Sequence, residues 1–157
     1  MAGSEMSRGG VEYIVERYHV AFRIELRRLE ELGGSCRELH LLGGDCHDLC
    51  QAFERLRDCL LRHMDEQELL FADGVVAAIE HIAVRAAASR LCVALETAVA
   101  CEDCRPRALI HGLAHFAAEV EDHLDLEERI MHRNADVTHR LFLPAHATDI
   151  VDQWLHR

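Results

Sequence analysis

The sequence predicts an all-α protein, an antiparallel up-down-up-down four-helix bundle with a short C-terminal helix. Three observations lead there. Apolar residues recur three and four apart over four long stretches, the period of a helix that buries one face. Half of the 157 residues are apolar while the chain holds only nine glycines and two prolines, a composition suited to a compact helical globule. The connections between the second, third and fourth stretches are short, which favours antiparallel neighbours.

The first helix is read over residues 11–32, where Val11, Ile14, Val15, Tyr18, Phe22, Leu26, Leu29 and Leu32 form the inner stripe and Gly33-Gly34 ends it. A second fits about 45–71, with Asp45 as N-cap and Leu49, Phe53, Leu56, Leu60, Met64 and Leu70 facing inward. Asp73-Gly74 breaks the chain before a third helix, about 75–101, rich in Ala and Val. The fourth opens at Pro106, a residue suited to a first turn, and runs to about Arg133. A short helix near 148–156 would pack Ile150, Val151 and Trp154 onto the bundle. With no repeat of 20–50 residues and no low-complexity tract, residues 1–157 are expected to form one domain, with a core over 11–133 and a tail over 134–157.

A formal charge of −11 with twelve neutral histidines disfavours nucleic acid or an anionic membrane as partner and favours cations. No apolar run is long enough to span a bilayer, and the first ten residues lack the apolar core of a signal peptide, so a cytoplasmic location is expected. Seven cysteines, an odd number, fit a reducing compartment. The pair Cys101 and Cys104 has no second pair and no flanking strand, and is read as two incidental thiols in a loop.

The bundle tells which histidines can meet. Take as the bottom the end at which the first helix begins. His19 then lies eight residues up an ascending helix, and His63 eight residues above the foot of a descending one. His81 lies six residues up the third helix and His123 ten above the foot of the fourth. At about 1.5 Å per residue, one histidine from each helix shares a level. Glu66 follows His63 by three residues and Glu127 follows His123 by four, offsets of about 60° and 40° that let each pair point into the same space. Four imidazoles and two carboxylates converging inside a bundle make a metal cage, and two carboxylates able to bridge suggest two metals.

The same ruler excludes others. His47 is about 24 Å from His63 along one helix, and His115 about 12 Å from His123. His40, His47, His111 and His115 fall towards the top, and His132, His139, His146 and His156 lie at the end of the fourth helix or in the tail, read as surface residues. A lone histidine on a helix is usually just a hydrogen-bonded side chain, and acidic runs such as DEQE and DLEE are usually solvated; it is the shared level that argues otherwise. Cys46 and Cys50, one turn apart, are read as core residues.

At "HMDEQELLF" (63–71) and "HLDLEERIM" (123–131) the sequence resembles the hemerythrin-like cation-binding family, and within it the di-iron domain of proteins that repair iron centres. The likeness also takes in Tyr18-His19 with Arg23, Glu25 and Leu26, and Glu80-His81. It implies that His19, His63, His81 and His123 are terminal ligands and that Glu66 and Glu127 bridge two iron ions, oxo- or hydroxo-bridged. The family's first bridging glutamate lies four residues after its histidine, where this chain has Gln67; alignment on Leu70-Phe71 makes Glu66 the equivalent. Gln67 in that place would remove one bridging anion and leave a site for one iron, or for two held weakly.

Three functions follow from that resemblance. The first is a stress-response protein whose iron site acts on nitric oxide, oxygen or peroxide, or passes iron to a protein partner with damaged iron–sulfur centres. The second is a carrier or sensor that binds oxygen or nitric oxide reversibly. The third is a bundle with a degenerate site that acts by protein interaction. No GxSxG elbow, P-loop or HExxH motif supports hydrolytic or nucleotide chemistry.

Overall fold

The structure, a computed structural model, describes residues 10, 12–38, 46–72, 81–100 and 106–142. Among these the chain is an all-α bundle. Helical backbone at residues 12–14 enters a π-helical stretch, Val15–His19, that continues directly as α1, Val20–Glu38. There follow α2, Cys46–Ala72, α3, Ile82–Ala100, and α4, Arg107–Phe142. Ion pairs set the directions. Arg23 pairs with Glu68, Arg57 with Glu30 and Arg37 with Glu54, so α2 descends as α1 ascends. His81 pairs with Glu128 and Arg85 with Glu121, so α4 likewise descends as α3 ascends.

The predicted stripes supply most of the core; Val15, Tyr18 and Leu32 are only partly buried, and Val11 and the side chain of Leu70 lie outside the described residues. Ile14, Phe22, Leu26 and Leu29 are buried, as are Leu49, Phe53, Leu56, Leu60 and Met64 on α2. α3 adds Val84, Ala87, Ala88, Leu91 and Leu95, and α4 adds Leu109, Leu113, Phe116, Val120 and Leu124. The small residues of α3 let α2 and α4 approach it closely. None of the described helices is long and apolar enough to cross a membrane.

Three helix ends differ from expectation. α3 begins at Ile82, after a non-helical His81, rather than near residue 75. α1 does not stop at Gly33-Gly34 but runs to Glu38. A glycine inside a helix costs only about 0.5–1 kcal/mol against alanine, and the extra turn buries Cys36 and pairs Arg37 with Glu54. α4 continues past Arg133 to Phe142, since nothing between those positions breaks a helix. The expected helix at 148–156 and the Cys101/Cys104 pair lie outside the described residues.

The π-helical stretch is where the first site residue enters. The amide of Val20 donates to the carbonyl of Val15, a five-residue span, and such a widened turn shifts the register of the side chains around it. His19, its last residue, is buried.

A Cβ placed on Gly33 or Gly34 meets no atom within 4 Å. Replacing both with alanine therefore removes chain entropy from the unfolded state without a clash, and should stabilise the fold by about 1–2 kcal/mol. Thermal denaturation checks this: a rise of a few degrees is expected, whereas a fall would mean that α1 ends at these glycines.

Candidate metal centre

The four histidines meet at a common level, although His81 does so from the residue before its helix and not from six residues up it as expected. His19 comes from the π-helical stretch, His63 from α2 and His123 from α4, while His81 sits on the residue just before α3, its carbonyl accepting from the amide of Arg85. All four are buried: His19 and His123 are 0 % exposed, His63 3 % and His81 6 %. At their centre lies Glu127, also 0 % exposed.

The carboxylate of Glu127 divides the four rings into two pairs. Its Oε1 lies 3.0 Å from His123 Nε2 and 3.6 Å from His19 Nε2. Its Oε2 lies 3.0 Å from His81 Nε2 and 3.1 Å from His63 Nε2. The donor atoms of His19, His123 and Glu127 fall within 4.8 Å of one another, as do those of His63, His81 and Glu127. Two three-ligand groups thus share one carboxylate, an oxygen to each.

Outer carboxylates orient two of the rings. His19 Nδ1 donates to Glu68 at 2.9 Å, and His81 Nδ1 donates to Glu128 at 3.1 Å. A neutral ring that donates from Nδ1 presents a lone pair at Nε2, here aimed at the oxygens of Glu127. Two lone pairs facing each other at about 3 Å repel, and a cation between them, a proton or a metal ion, reverses the sign. Ligand histidines held by a carboxylate through their other nitrogen are a recurrent feature of metal centres.

Polar atoms without partners concentrate here. Among the described residues, the buried side-chain atoms lacking a hydrogen bond are His19 Nε2, His63 Nδ1, His81 Nε2, both ring nitrogens of His123, Glu127 Oε1 and both amide atoms of Gln67. His81 Nε2 and His123 Nε2 are near Glu127 but not aligned for a hydrogen bond. Most buried polar groups in proteins are paired, so this set fits a group that accepts several lone pairs at once.

Burial alone would push the Glu127 carboxyl up, but His123, His19, His63 and His81 outweigh it and hold it far below the usual carboxylate range. His123 and His81 respond differently. Burial pushes the His123 imidazole down against the pull of Glu127. At His81 burial acts the same way, yet Glu127 and Glu128 together overcome it and raise the ring. His81 has a second carboxylate, Glu128, whereas His123 is buried more deeply and faces His19 and His63 as well.

The expectation for Glu66 fails on orientation. Glu66 is exposed, and the buried residue at that register is Gln67, 0 % exposed. The inward seam of α2 runs Leu56, Leu60, His63, Met64 and Gln67, and a residue four beyond His63 stays nearer its face than one three beyond. Glu66 falls instead on the polar side beside exposed Arg62 and Asp65.

The other histidines stay apart from the centre. His47 is exposed and bonded to Gln51, His111 is exposed, and His115 is exposed beside Glu119. His40, His146 and His156 lie outside the described residues, as do the side chains of His132 and His139. Aromatic rings close one side: Tyr18 stacks on His123 with centroids 4.9 Å apart, and Phe22 meets the same ring edge-on at 5.2 Å. Tyr18 also lines a surface cleft of about 300 Å³ with Arg17, Glu25 and His115.

Sequence reasoning missed the outer layer, and with it a repeat. Arg23 donates to Glu68 and Asp65; Arg85 donates to Glu128 and Asp125. The segment "HVAFR" (19–23) recurs as "HIAVR" (81–85), and "HMDEQE" (63–68) as "HLDLEE" (123–128). Burial follows the same register: Phe22 and Val84, Leu26 and Ala88, and Leu29 and Leu91 are buried equivalents, as are Leu56 and Phe116, and Met64 and Leu124. The described helices are therefore two matching antiparallel pairs whose histidines meet. Its period of 60–62 residues lies beyond the 20–50 residues of common repeats. In this register the mate of Glu127 is Gln67.

Compared with known proteins, the chain matches no family model, no curated protein and no solved structure.

Because neither amide atom of Gln67 has a partner among the described residues, Gln67→Met should stabilise the metal-free protein, by about 1–3 kcal/mol. Urea denaturation in the presence of a chelator measures it. A loss of stability would show that the amide is satisfied in the folded protein.

Proposed function

We propose that the buried cluster is a non-heme iron centre for two ions bridged by Glu127, with His19 and His123 serving one ion and His63 and His81 the other. One observation carries this reading: the two oxygens of one buried carboxylate each face a separate pair of imidazoles. Three neutral or anionic N and O donors per ion suit iron and leave coordination positions free. The hemerythrin-like resemblance points the same way, and by that resemblance the protein acts in nitrosative or oxidative stress. Its ligands there are nitric oxide, oxygen or peroxide, or a protein that receives iron.

Bound iron would supply redox chemistry and open positions for a small ligand. The chain's own residues do the rest. Glu127 contributes the negative charge that two cations share. Glu68 and Glu128 hold His19 and His81 by Nδ1 so that Nε2 faces inward. Arg23 and Arg85 fix those carboxylates in turn. Phe22, Met64 and Leu124 keep the surroundings dry, which strengthens every charge interaction inside and admits a diatomic more readily than a solvated anion.

Anaerobic reconstitution with ferrous iron, followed by metal analysis and Mössbauer spectra before and after air, tests the proposal. Bound iron that oxidises to a coupled diferric species is expected. His63→Ala, His123→Ala and Glu127→Gln should each lower iron content severalfold, while His111→Ala and His115→Ala retain it. Equal loss from both groups would overturn the assignment, and so would a wild-type chain that takes up no iron. Rapid mixing with nitric oxide or peroxide then separates turnover, in which the ligand is consumed, from reversible binding, in which it is recovered.

A further inference from the structure

We infer that Gln67 leaves the centre with one resident and one exchangeable metal ion; this rests on the reading of the cluster as a metal centre. The two helix pairs supply matching ligands, matching outer carboxylates and matching arginines, and differ inside the cluster at one residue type that bears charge: Glu127 in one, Gln67 in the other. Gln67 is fully buried, follows His63 by the four residues that separate Glu127 from His123, and neither its Oε1 nor its Nε2 has a partner among the described residues.

The consequence is electrostatic. With a carboxylate at both places, two divalent cations would share two buried negative charges. Here they share one. The first ion draws on the whole charge of Glu127, together with one pair of imidazoles. The second finds neutral rings, a neutral amide and a carboxylate already committed, beside a cation of like charge. The donor atoms are nearly equivalent on the two sides, so the inequality arises from order of binding, with charge rather than geometry setting it. The outer carboxylates do not restore the balance, because Glu68 and Glu128 lie at the partly exposed edge and are already neutralised by Arg23 and Arg85.

The amide gives the second binding step a particular character. Gln67 Oε1 is a neutral donor, weaker toward a divalent ion than a carboxylate, and Nε2 is a hydrogen-bond donor to any small anion that enters with the second cation. One ion is thus held permanently. The other is taken up when free divalent metal is abundant and released when it is scarce.

The test is an anaerobic titration of metal-free protein with cobalt(II), followed by calorimetry, visible spectra and native mass spectrometry, none of which depends on catalytic activity. Wild type should bind two ions in separate steps, the second weaker by at least about tenfold, comparable with the loss on changing a single outer-layer partner of a metal ligand. Gln67→Glu should bring the steps together by strengthening the second, and Gln67→Met should not. Should Gln67→Glu fail to fold without metal, Glu127→Gln keeps the inference exposed: with no anion left inside, its tight step should disappear. Two ions of equal affinity in wild type would overturn the inference, as would an unchanged gap in a folded Gln67→Glu protein or a tight step that survives Glu127→Gln. A wild-type chain that binds no cobalt at all would refute the metal centre itself, a distinct result.

Discussion

A carboxylate with no access to water has to be balanced by charge from within the protein, and Glu127 has only imidazoles to do it. Isolated ionised groups are too costly to bury unpaired, so the arrangement around Glu127 constrains everything near it. Four helical segments must each place a histidine at one height, with ring nitrogens turned to the same two oxygens. The bundle's direction, the π-helical turn before α1 and the position of His81 just ahead of α3 all serve that convergence.

Stability comes from elsewhere in the molecule. Leu26, Leu29, Leu56, Leu60, Leu91, Leu113 and Phe116 form a packed apolar stretch above the cluster, and burial of such side chains is worth about 1.5–3 kcal/mol each. The polar cluster itself leaves eight buried atoms unpartnered, a local weakness the apolar stretch has to offset. This division of labour is characteristic of sites shaped by function rather than by folding alone. The repeat of two helix pairs explains how so demanding a site is built economically: one pattern, used twice, provides both halves.

The bundle was legible in the sequence because α1 to α4 each carry an unbroken apolar stripe, and a straight helix converts residue number into height. For the same reason His19, His63, His81 and His123 were recognisable as neighbours, though helix ends were less certain than helix identities. Gly33-Gly34 was read as a stop, yet a helix tolerates two glycines when the following turn buries Cys36 and pairs Arg37. Orientation proved harder than height. Glu66 and Gln67 differ by a single position, 100° around the axis, and only packing decides which faces inward. Family resemblance favoured a carboxylate at that place, whereas the continuous seam through His63 and Met64 carries Gln67 into it. Glu68, Glu128 and Arg85 escaped notice because each alone looks like a solvated charge, and Arg23, though part of the family likeness, gave no hint of its partners. The doubled pattern of His, Arg and paired acids was the available signal, at a spacing longer than the repeats usually sought.

The measurement that tests the central claim most directly is anomalous X-ray diffraction from crystals of the iron-loaded protein, collected on either side of the iron absorption edge. Peaks bonded to the oxygens of Glu127, with His19 and His123 on one side and His63 and His81 on the other, are the result predicted here. Iron bound only at surface carboxylates, with the four imidazoles turned away from it, would contradict the account.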